Sequence, residues 1–433
     1  MAKTCSANYV DRLLMKINGA ICPIWNSLFY TVEEAPCSES FFSCVNALIN
    51  EAPRLKSIWS KAGKGWQVIE PDSQKITDTY RFDAIAVEKR ERIQTLIQAP
   101  IDLEHSLPFR ITIGKIFNNE GFSWIIAFQI HHAASDGQSL IHFVERFWDL
   151  LNGELNQHSP SRKSLSAPKM TDKKFIRYCL KNKKVLPNLF KAKYRQLSRR
   201  ASPLSHEGTQ IGVPYLQSIQ FSLSHLKNYN SSELFYSAIL AAIHSTESTK
   251  ENRLIRFRIP VDLRSIWMVP KNSIENGCAA IIIELPLQVI KQIHQNRPKH
   301  LGLLIRKTLT QLLLKRIYLC NALECILMSH LCSEKKLKNA VREELLADKR
   351  SSTLVITHFG DVTSYLRPPR PIKVMNLEAH TPVWGSNSFV YEETLYINNT
   401  CFDKIWSHEQ MQHFCLEARS WLQLHYGSSG LSS

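Results

Sequence analysis

Residues Trp124–Leu140, WIIAFQIHHAASDGQSL, constrain the fold of this chain more than any other stretch. From Trp124 to Ile130 the run is apolar at both parities apart from Gln129, the pattern of a strand covered on both faces. From Gly137 the spacing changes, and Leu140, Phe143, Val144, Phe147 and Leu151 share one face of a helix. A buried strand followed at once by an amphipathic helix is the unit of an α/β fold. Between them stand His131, His132, Asp136 and Gly137. Loops after buried strands are where side chains leave the packed sheet and face a cleft. A neutral imidazole at such a strand end is a candidate general base.

Two plainer readings stand beside that one. His131 and His132 could be core histidines, with Asp136 acting only as the cap of the helix that starts at Gly137. A metal site needs further ligands, and no other His, Cys or Glu cluster sits at ligand spacing, so no metal is expected.

The surrounding chain alternates the same two patterns. Glu39–Trp59 is helix-like up to about Pro53. Trp66–Ile69 and Leu254–Val261 read as strands, as do Ala279–Leu285, Leu354–His358, Ser388–Tyr391 and Leu395–Asn398. Ser231 is expected to cap a helix running through Ala242. Leu301–Leu331 has helical spacing throughout, and Glu409–Leu422 reads as a closing helix. No run of apolar residues is long enough to span a bilayer. The N-terminal stretch has no apolar core followed by a small-residue cleavage site. The expectation is therefore a cytoplasmic protein, at most peripheral to a membrane. The 11 cysteines include no CxxC pair, which fits idle thiols in a reducing compartment.

Charge divides the chain. Arg162–Arg200 holds 14 Lys or Arg against one acidic residue, Asp172, so this segment carries +13 of the net +16. The remainder is close to neutral, which argues against a protein that coats nucleic acid over its whole surface. Pro160, Pro168, Pro187 and Pro203 punctuate the basic region. The reading is two α/β halves, residues 1–158 and 206–433, joined by a basic crossover, residues 159–205.

HHAASDG resembles the HHxxxDG signature of the chloramphenicol acetyltransferase-like superfamily. That group includes condensation domains, alcohol acetyltransferases, wax ester synthases and polyketide-associated acyltransferases. Pro100–Arg110 (PIDLEHSLPFR) is similar to the PxDLxxGPLxR element that precedes the signature, with Ser106 where Gly is usual. Pro260–Arg264 (PVDLR), Glu275–Leu287 (ENGCAAIIIELPL) and Thr357–Val362 (THFGDV) resemble later elements in the expected order, although ENGC does not keep the usual Gly-Asn order. The plant branch's DFGWG motif is missing, with Val383-Trp384-Gly385 a faint echo.

The resemblance implies a fold and a set of roles. The fold would be two similar α/β halves, each a mixed sheet flanked by helices, with an active-site tunnel between them. His132 would be the general base, taking a proton from an acceptor hydroxyl or amine that then attacks an acyl thioester directly. His131 would be supporting, Gly137 would keep the loop tight, and Asp136 would brace the loop by pairing with Arg264. Thr357, Ser386 and Ser388 are candidates to donate to the oxyanion, with His358 beside them. No permanently bound cofactor is implied. The cosubstrate would be acyl-CoA or an acyl-pantetheine, the acceptor a small alcohol or amine, and the chain a monomer. The favoured reading is O-acylation from acyl-CoA. A freestanding condensation-type enzyme using carrier-bound acyl groups, and a catalytically silent binding module of the same fold, are the alternatives. Residues 162–200 could meet an acyl carrier protein or an anionic membrane surface, or simply be a solvated crossover with its apolar side packed down.

Overall fold

The structure is a computed structural model that describes residues 4–5, 7–18, 24–63, 65–87, 101–118, 121–153, 171–181, 214–247, 254–267, 273–346, 354–368, 374–380, 385–402 and 407–427. Most of the basic crossover, both of its boundaries and Val383-Trp384 lie outside the described residues.

The first part of the chain contributes β1 (Thr4–Cys5), α1 (Tyr9–Ile17), β2 (Trp25–Val32), α2 (Ser38–Glu51), β3 (Ser57–Ser60) and β4 (Gly65–Val68). Then come α3 (Ser73–Thr77), β5 (Tyr80–Val87), β6 (Phe109–Asn118), β7 (Gly121–His131), α4 (Gly137–Leu151) and α5 (Asp172–Lys181). The second part opens with β8 (Pro214–Ser222), α6 (Ser231–Glu247), β9 (Leu254–Asp262), α7 (Arg264–Trp267), β10 (Cys278–Pro286) and α8 (Leu287–Asn296). It continues with α9 (Leu301–Leu314), α10 (Ile317–Leu331), α11 (Glu334–Leu346), β11 (Leu354–Asp361), β12 (Val374–His380), β13 (Gly385–Tyr391), β14 (Thr394–Phe402) and α12 (His408–Tyr426).

Two mixed sheets organise the chain. The first is five-stranded in the order β12-β2-β7-β6-β5, and the second is six-stranded in the order β10-β9-β11-β13-β14-β8. α2 and α4 cover one face of the first sheet, where Phe41, Leu48, Phe128, Phe143 and Phe147 are all buried in one apolar cluster. α6 and α12 cover one face of the second, with Phe235, Ile239, Phe414 and Trp421 in its core. This is the expected architecture of two mixed sheets flanked by helices.

The halves exchange segments. β12 leaves the second part of the chain and pairs antiparallel with β2, so it forms an edge of the first sheet. In the other direction, Tyr9 and Val10 of α1 are buried with Leu319, Leu323 and Trp267 of the second part. From the basic crossover, α5 docks in the same place. Its Phe175 ring stacks on Trp267 with centroids 4.8 Å apart, and Cys179 is buried beside it. Lys173, Lys174, Arg177 and Lys181 stay exposed. In this described piece of the crossover the apolar side packs on the body while the charges face out.

The long helical run Leu301–Leu331 is two helices. Arg316 takes a left-handed conformation, φ 55° and ψ 35°, between α9 and α10. No Gly or Pro marks this break, so periodicity ran straight through it. A non-glycine residue in that region carries a backbone penalty of about 1–2 kcal/mol. Arg316→Gly is therefore expected to leave stability unchanged or raise it by up to about 1 kcal/mol. Lys307→Gly, in the exposed middle of α9, should lower it by about 1 kcal/mol. Urea denaturation of the two variants reads the contrast.

Candidate active site

β7 delivers the two histidines. Its register with β2 puts His131 opposite Trp25, and the His132 amide then donates to the Ile24 carbonyl at 3.0 Å. The loop ends at Asp136, whose carboxylate caps α4 by accepting from the Ser139 amide at 3.0 Å.

The neighbouring imidazoles are held in opposite tautomers. His132 Nδ1 lies 2.9 Å from the Ser135 carbonyl oxygen. A carbonyl can only accept, so Nδ1 carries the proton and Nε2 presents a lone pair. His131 is reversed: its Nδ1 accepts from the Ala133 amide at 3.1 Å, leaving the proton on Nε2. His131 is 1% exposed, and burial, with His132 adding to it, pushes it down to about 3. It stays neutral at physiological pH. Only His132, half-buried, offers a fixed lone pair at the end of the strand.

Asp136 does both things suggested for it. Besides capping α4, it accepts from Arg264 Nη2 at 2.6 Å and from the Gly277 amide at 2.8 Å. Arg264 is 1% exposed, and its Nη2 also donates to Ser139 Oγ at 2.8 Å and to the Glu275 carbonyl at 2.9 Å. Its Nη1 reaches Asp262 at 3.1 Å. Burial alone would raise the Asp136 carboxyl. The Arg264 charge, together with hydrogen bonds from Arg264, Gly277 and Ser139, outweighs it and holds the carboxyl below the usual carboxylate range.

Two glycines make room for this packing. A Cβ on Gly277 would lie 2.7 Å from Arg264 Cγ, and one on Gly137 would lie 2.7 Å from Phe359 Cζ. Gly137 thus lets a phenyl ring from the second half rest on the start of α4. The resemblance implies a tight loop at Gly137; the structure adds this close contact between halves.

A second brace was not visible in the sequence. Asn276 Nδ2 donates to the His132 and Ala133 carbonyls, each at 2.9 Å, and to Asp11 Oδ1 at 2.9 Å. Asp11 is fully buried and also accepts from Arg54 Nη1 at 2.9 Å and Trp66 Nε1 at 3.2 Å. Arg54 lies over the Trp66 ring, 4.6 Å from its centroid. Asp11 sits in an N-terminal helix that reads as amphipathic and polar. Asn276 lies in ENGC, where a changed Gly-Asn order hid its role.

The late candidates separate onto two faces of the second sheet. Thr357 pairs in register with Asn387, which pairs with Asn398, and that with Ser218. Asn387 shares its face with Phe389, and Phe389 and Tyr396 pack into the core of the first half. Thr357 therefore lies on the face turned toward HHAASDG. Ser386 and Ser388 lie on the opposite face, 3% and 0% exposed. Ser386 Oγ donates to Asn399 Oδ1, and Asn399 lies against Cys415 of α12. Ser388 Oγ is 2.8 Å from His358 Nδ1, whose Nε2 is 3.0 Å from Ser231 Oγ. Burial lowers His358 to about 4. The structure does not bring Ser386 and Ser388 to the histidine loop. Strand parity is the reason, and Asn387 between them is the residue that faces it. Ser231 is likewise engaged with His358, and Asn230 caps α6 in its place, accepting from the Glu233 amide at 3.1 Å.

Beside the loop lies a small cavity shared by both halves, with Asn26, Ser27 and Gly137 on one side and Phe359, Asn387 and Phe389 on the other. Asn26 Nδ2 donates at 3.2 Å to the Ser135 carbonyl that His132 Nδ1 also reaches. The cavity wall and the base therefore share a hydrogen-bond acceptor. Among the described residues no group of three or more His, Cys, Asp or Glu could hold a metal ion, and no helix is long and apolar enough to cross a membrane.

Residues 24–187 match the family model described as Condensation domain. No curated protein matches the chain in sequence. The fold as a whole has close counterparts. The trichothecene 15-O-acetyltransferase of Fusarium sporotrichioides aligns over 97% of this chain and 95% of its own, at 12% identity and a TM-score of 0.68. Polyketide synthase associated protein 5 of Mycobacterium tuberculosis aligns over 97% and 98%, at 14% identity and 0.59. The cyclization-docking bidomain from Sorangium cellulosum aligns over 98% and 84%, at 11% identity and 0.59.

Two outcomes check the braces. Asp136→Asn leaves Arg264 buried opposite a neutral amide and is expected to cost about 3–5 kcal/mol of stability near pH 7. Because the Asp136 pKa is depressed on folding, its contribution is complete above the unfolded value near 3.8 and is lost as pH falls through the lower folded value. The stability gap between wild type and Asp136→Asn in denaturant melts should therefore close only on strong acidification. Gly137→Ala forces its methyl against Phe359 and is expected to cost about 1–3 kcal/mol in the same melts. Phe359→Ala in the same chain should remove that particular clash.

Proposed function

We infer that this chain, which has the fold of the chloramphenicol acetyltransferase-like superfamily and a Condensation-domain segment over residues 24–187, is an acyltransferase. The observation that carries the reading is the fixed tautomer of His132: Nδ1 is committed to the Ser135 carbonyl, and Nε2 offers its lone pair.

The proposed donor is an acyl thioester, acyl-CoA in the first instance, and the acceptor a small alcohol or amine. His132 Nε2 takes the proton from the acceptor as its oxygen or nitrogen attacks the thioester carbonyl. The tetrahedral oxyanion collapses, the carbon–sulfur bond breaks, and the thiol leaves with a proton returned from the imidazolium. The products are an ester or amide and the free thiol. Asp136 and Arg264 touch neither substrate in this scheme. They fix the backbone from which His132 projects, and Asn276 fixes it from the other side. Thr357, on the face turned toward the loop, is the proposed donor to the oxyanion among the three candidates.

Support for direct attack comes from the loop itself: His132 Nε2 presents its lone pair, and among the described residues no nucleophilic side chain is hydrogen-bonded to it. Carrier-bound acyl groups share the same thioester chemistry, so the donor is tested by comparing acyl-CoA with acyl-pantetheine carried on a protein.

Thiol release from a panel of acyl-CoAs with mixed alcohols and amines is the test. His132→Ala is expected to slow it by roughly 10²–10⁴-fold, with folding unchanged by circular dichroism. His131→Asn should retain far more activity. Equal rates in wild type and His132→Ala, with any donor that wild type turns over, would sink the assignment. Thr357→Val should lower kcat by about 10-fold or more with little change in KM if its hydroxyl meets the developing charge.

A further inference from the structure

The charge that acyl transfer leaves unexplained is concentrated in one place. Between Arg162 and Arg200 the chain holds 14 Lys or Arg and one acid, Asp172. α5 is a described helix of that segment, and its inner side is docked on the second half. Phe175 stacks on Trp267, Cys179 is buried beside it, and Arg316 Nη1 donates to Tyr178 Oη at 3.4 Å. Asp172 is drawn in as well. Its side chain is 14% exposed, pairs with Arg12 Nη2 and lies 3.0 Å from His330 Nε2. The one acid is therefore taken up by the body of the protein. The outward face of α5 is left with Lys173, Lys174, Arg177 and Lys181, all exposed. Leu180 stands among them, 50% exposed. Beyond the Tyr178 contact, the turn between α9 and α10 presents Leu314, 72% exposed, followed by exposed Lys315 and Arg316.

We propose that this face docks the protein onto an anionic lipid surface. The proposal stands independently of acyl transfer. A negatively charged leaflet attracts each nearby Lys or Arg, raising affinity roughly fivefold per cation. The attraction fades over a Debye length, about 10 Å at 0.1 M salt. The apolar side of α5 is already packed against Trp267, so the helix does not bury that side in a bilayer as an interfacial helix does. Contact is made at the level of the headgroups by the four cations, with Leu180 and Leu314 adding a small apolar contribution. Lipid fits this segment better than a protein partner does. Headgroups move laterally and match cations at any spacing, and each added cation strengthens the attraction. The 14 cations of residues 162–200 are irregularly spaced and interrupted by Pro168 and Pro187. A folded partner holds its carboxylates at fixed positions and needs the opposing cations at fixed positions too.

Vesicle flotation of the full chain is the test. Binding to vesicles of phosphatidylcholine mixed with phosphatidylserine is expected at about 0.1 M salt. It should be lost at about 1 M, where the Debye length falls to about 3 Å. Vesicles of phosphatidylcholine alone should leave the protein unbound. The quadruple variant Lys173→Gln, Lys174→Gln, Arg177→Gln, Lys181→Gln should weaken binding at least about 10²-fold. It keeps Phe175, Cys179 and Asp172, so its thermal melt and near-UV circular dichroism should match wild type. A second quadruple variant, Lys61→Gln, Lys227→Gln, Lys291→Gln, Lys299→Gln, removes the same charge from exposed positions outside the crossover and should bind much as wild type does. Equal losses in the two variants would make net charge the cause and overturn the proposal. Binding that survives the α5 substitutions overturns it as well. So does absence of binding to phosphatidylserine vesicles at low salt, and salt-sensitive retention on an immobilised acidic carrier protein in that case would assign the face to a protein partner instead.

Discussion

The ion pair between Asp136 and Arg264 is the constraint on which the rest of the site depends. Both groups are buried, and one comes from each half of the chain. Such a pair adds little net stability, because desolvation offsets the attraction. What it supplies is geometry. Once Arg264 is buried, Asp136, Ser139, the Glu275 carbonyl and Asp262 must all be where its donors reach. The loop that carries His132, the start of α4 and the Glu275–Gly277 segment are therefore fixed together. Both terminal nitrogens of the guanidinium are thereby paired at the contact between the halves.

His131 and His132 show how local that geometry is. They are adjacent and chemically identical, yet one receives a backbone amide on Nδ1 and the other faces a carbonyl. The carbonyl makes a base of His132, and the amide together with burial makes a structural residue of His131. The distinction depends on the turn His131–Ser135, which Asn276 holds from outside through the His132 and Ala133 carbonyls.

Much of this was legible in the sequence, in specific places. The burial of β7 and the face of α4 followed from period alone, and α4 begins and ends at the expected residues. The Asp136–Arg264 pairing came from the resemblance of HHAASDG and PVDLR to known elements, since nothing in spacing joins residues so far apart. Three things were hidden. Strand parity, which turns Thr357 and Asn387 toward the loop and Ser386 and Ser388 away, needs the register of β11 on β13. The break at Arg316 carries no helix-breaking residue. The network of Asp11, Arg54, Trp66 and Asn276 draws on four distant segments, and each member taken alone reads as an ordinary surface or core residue.

The exchange of segments between the halves has a consequence for synthesis. β2 is made early, but its partner on one side, β12, is Val374–His380. While the chain emerges from the ribosome, the apolar first sheet therefore presents an unpaired edge, with Trp25–Val32 almost wholly buried in the finished protein. Open edges of this kind invite pairing with other chains, and long-range strand pairing is slow to form. The first half is thus begun early, yet its sheet keeps an open edge until Val374–His380 has been made.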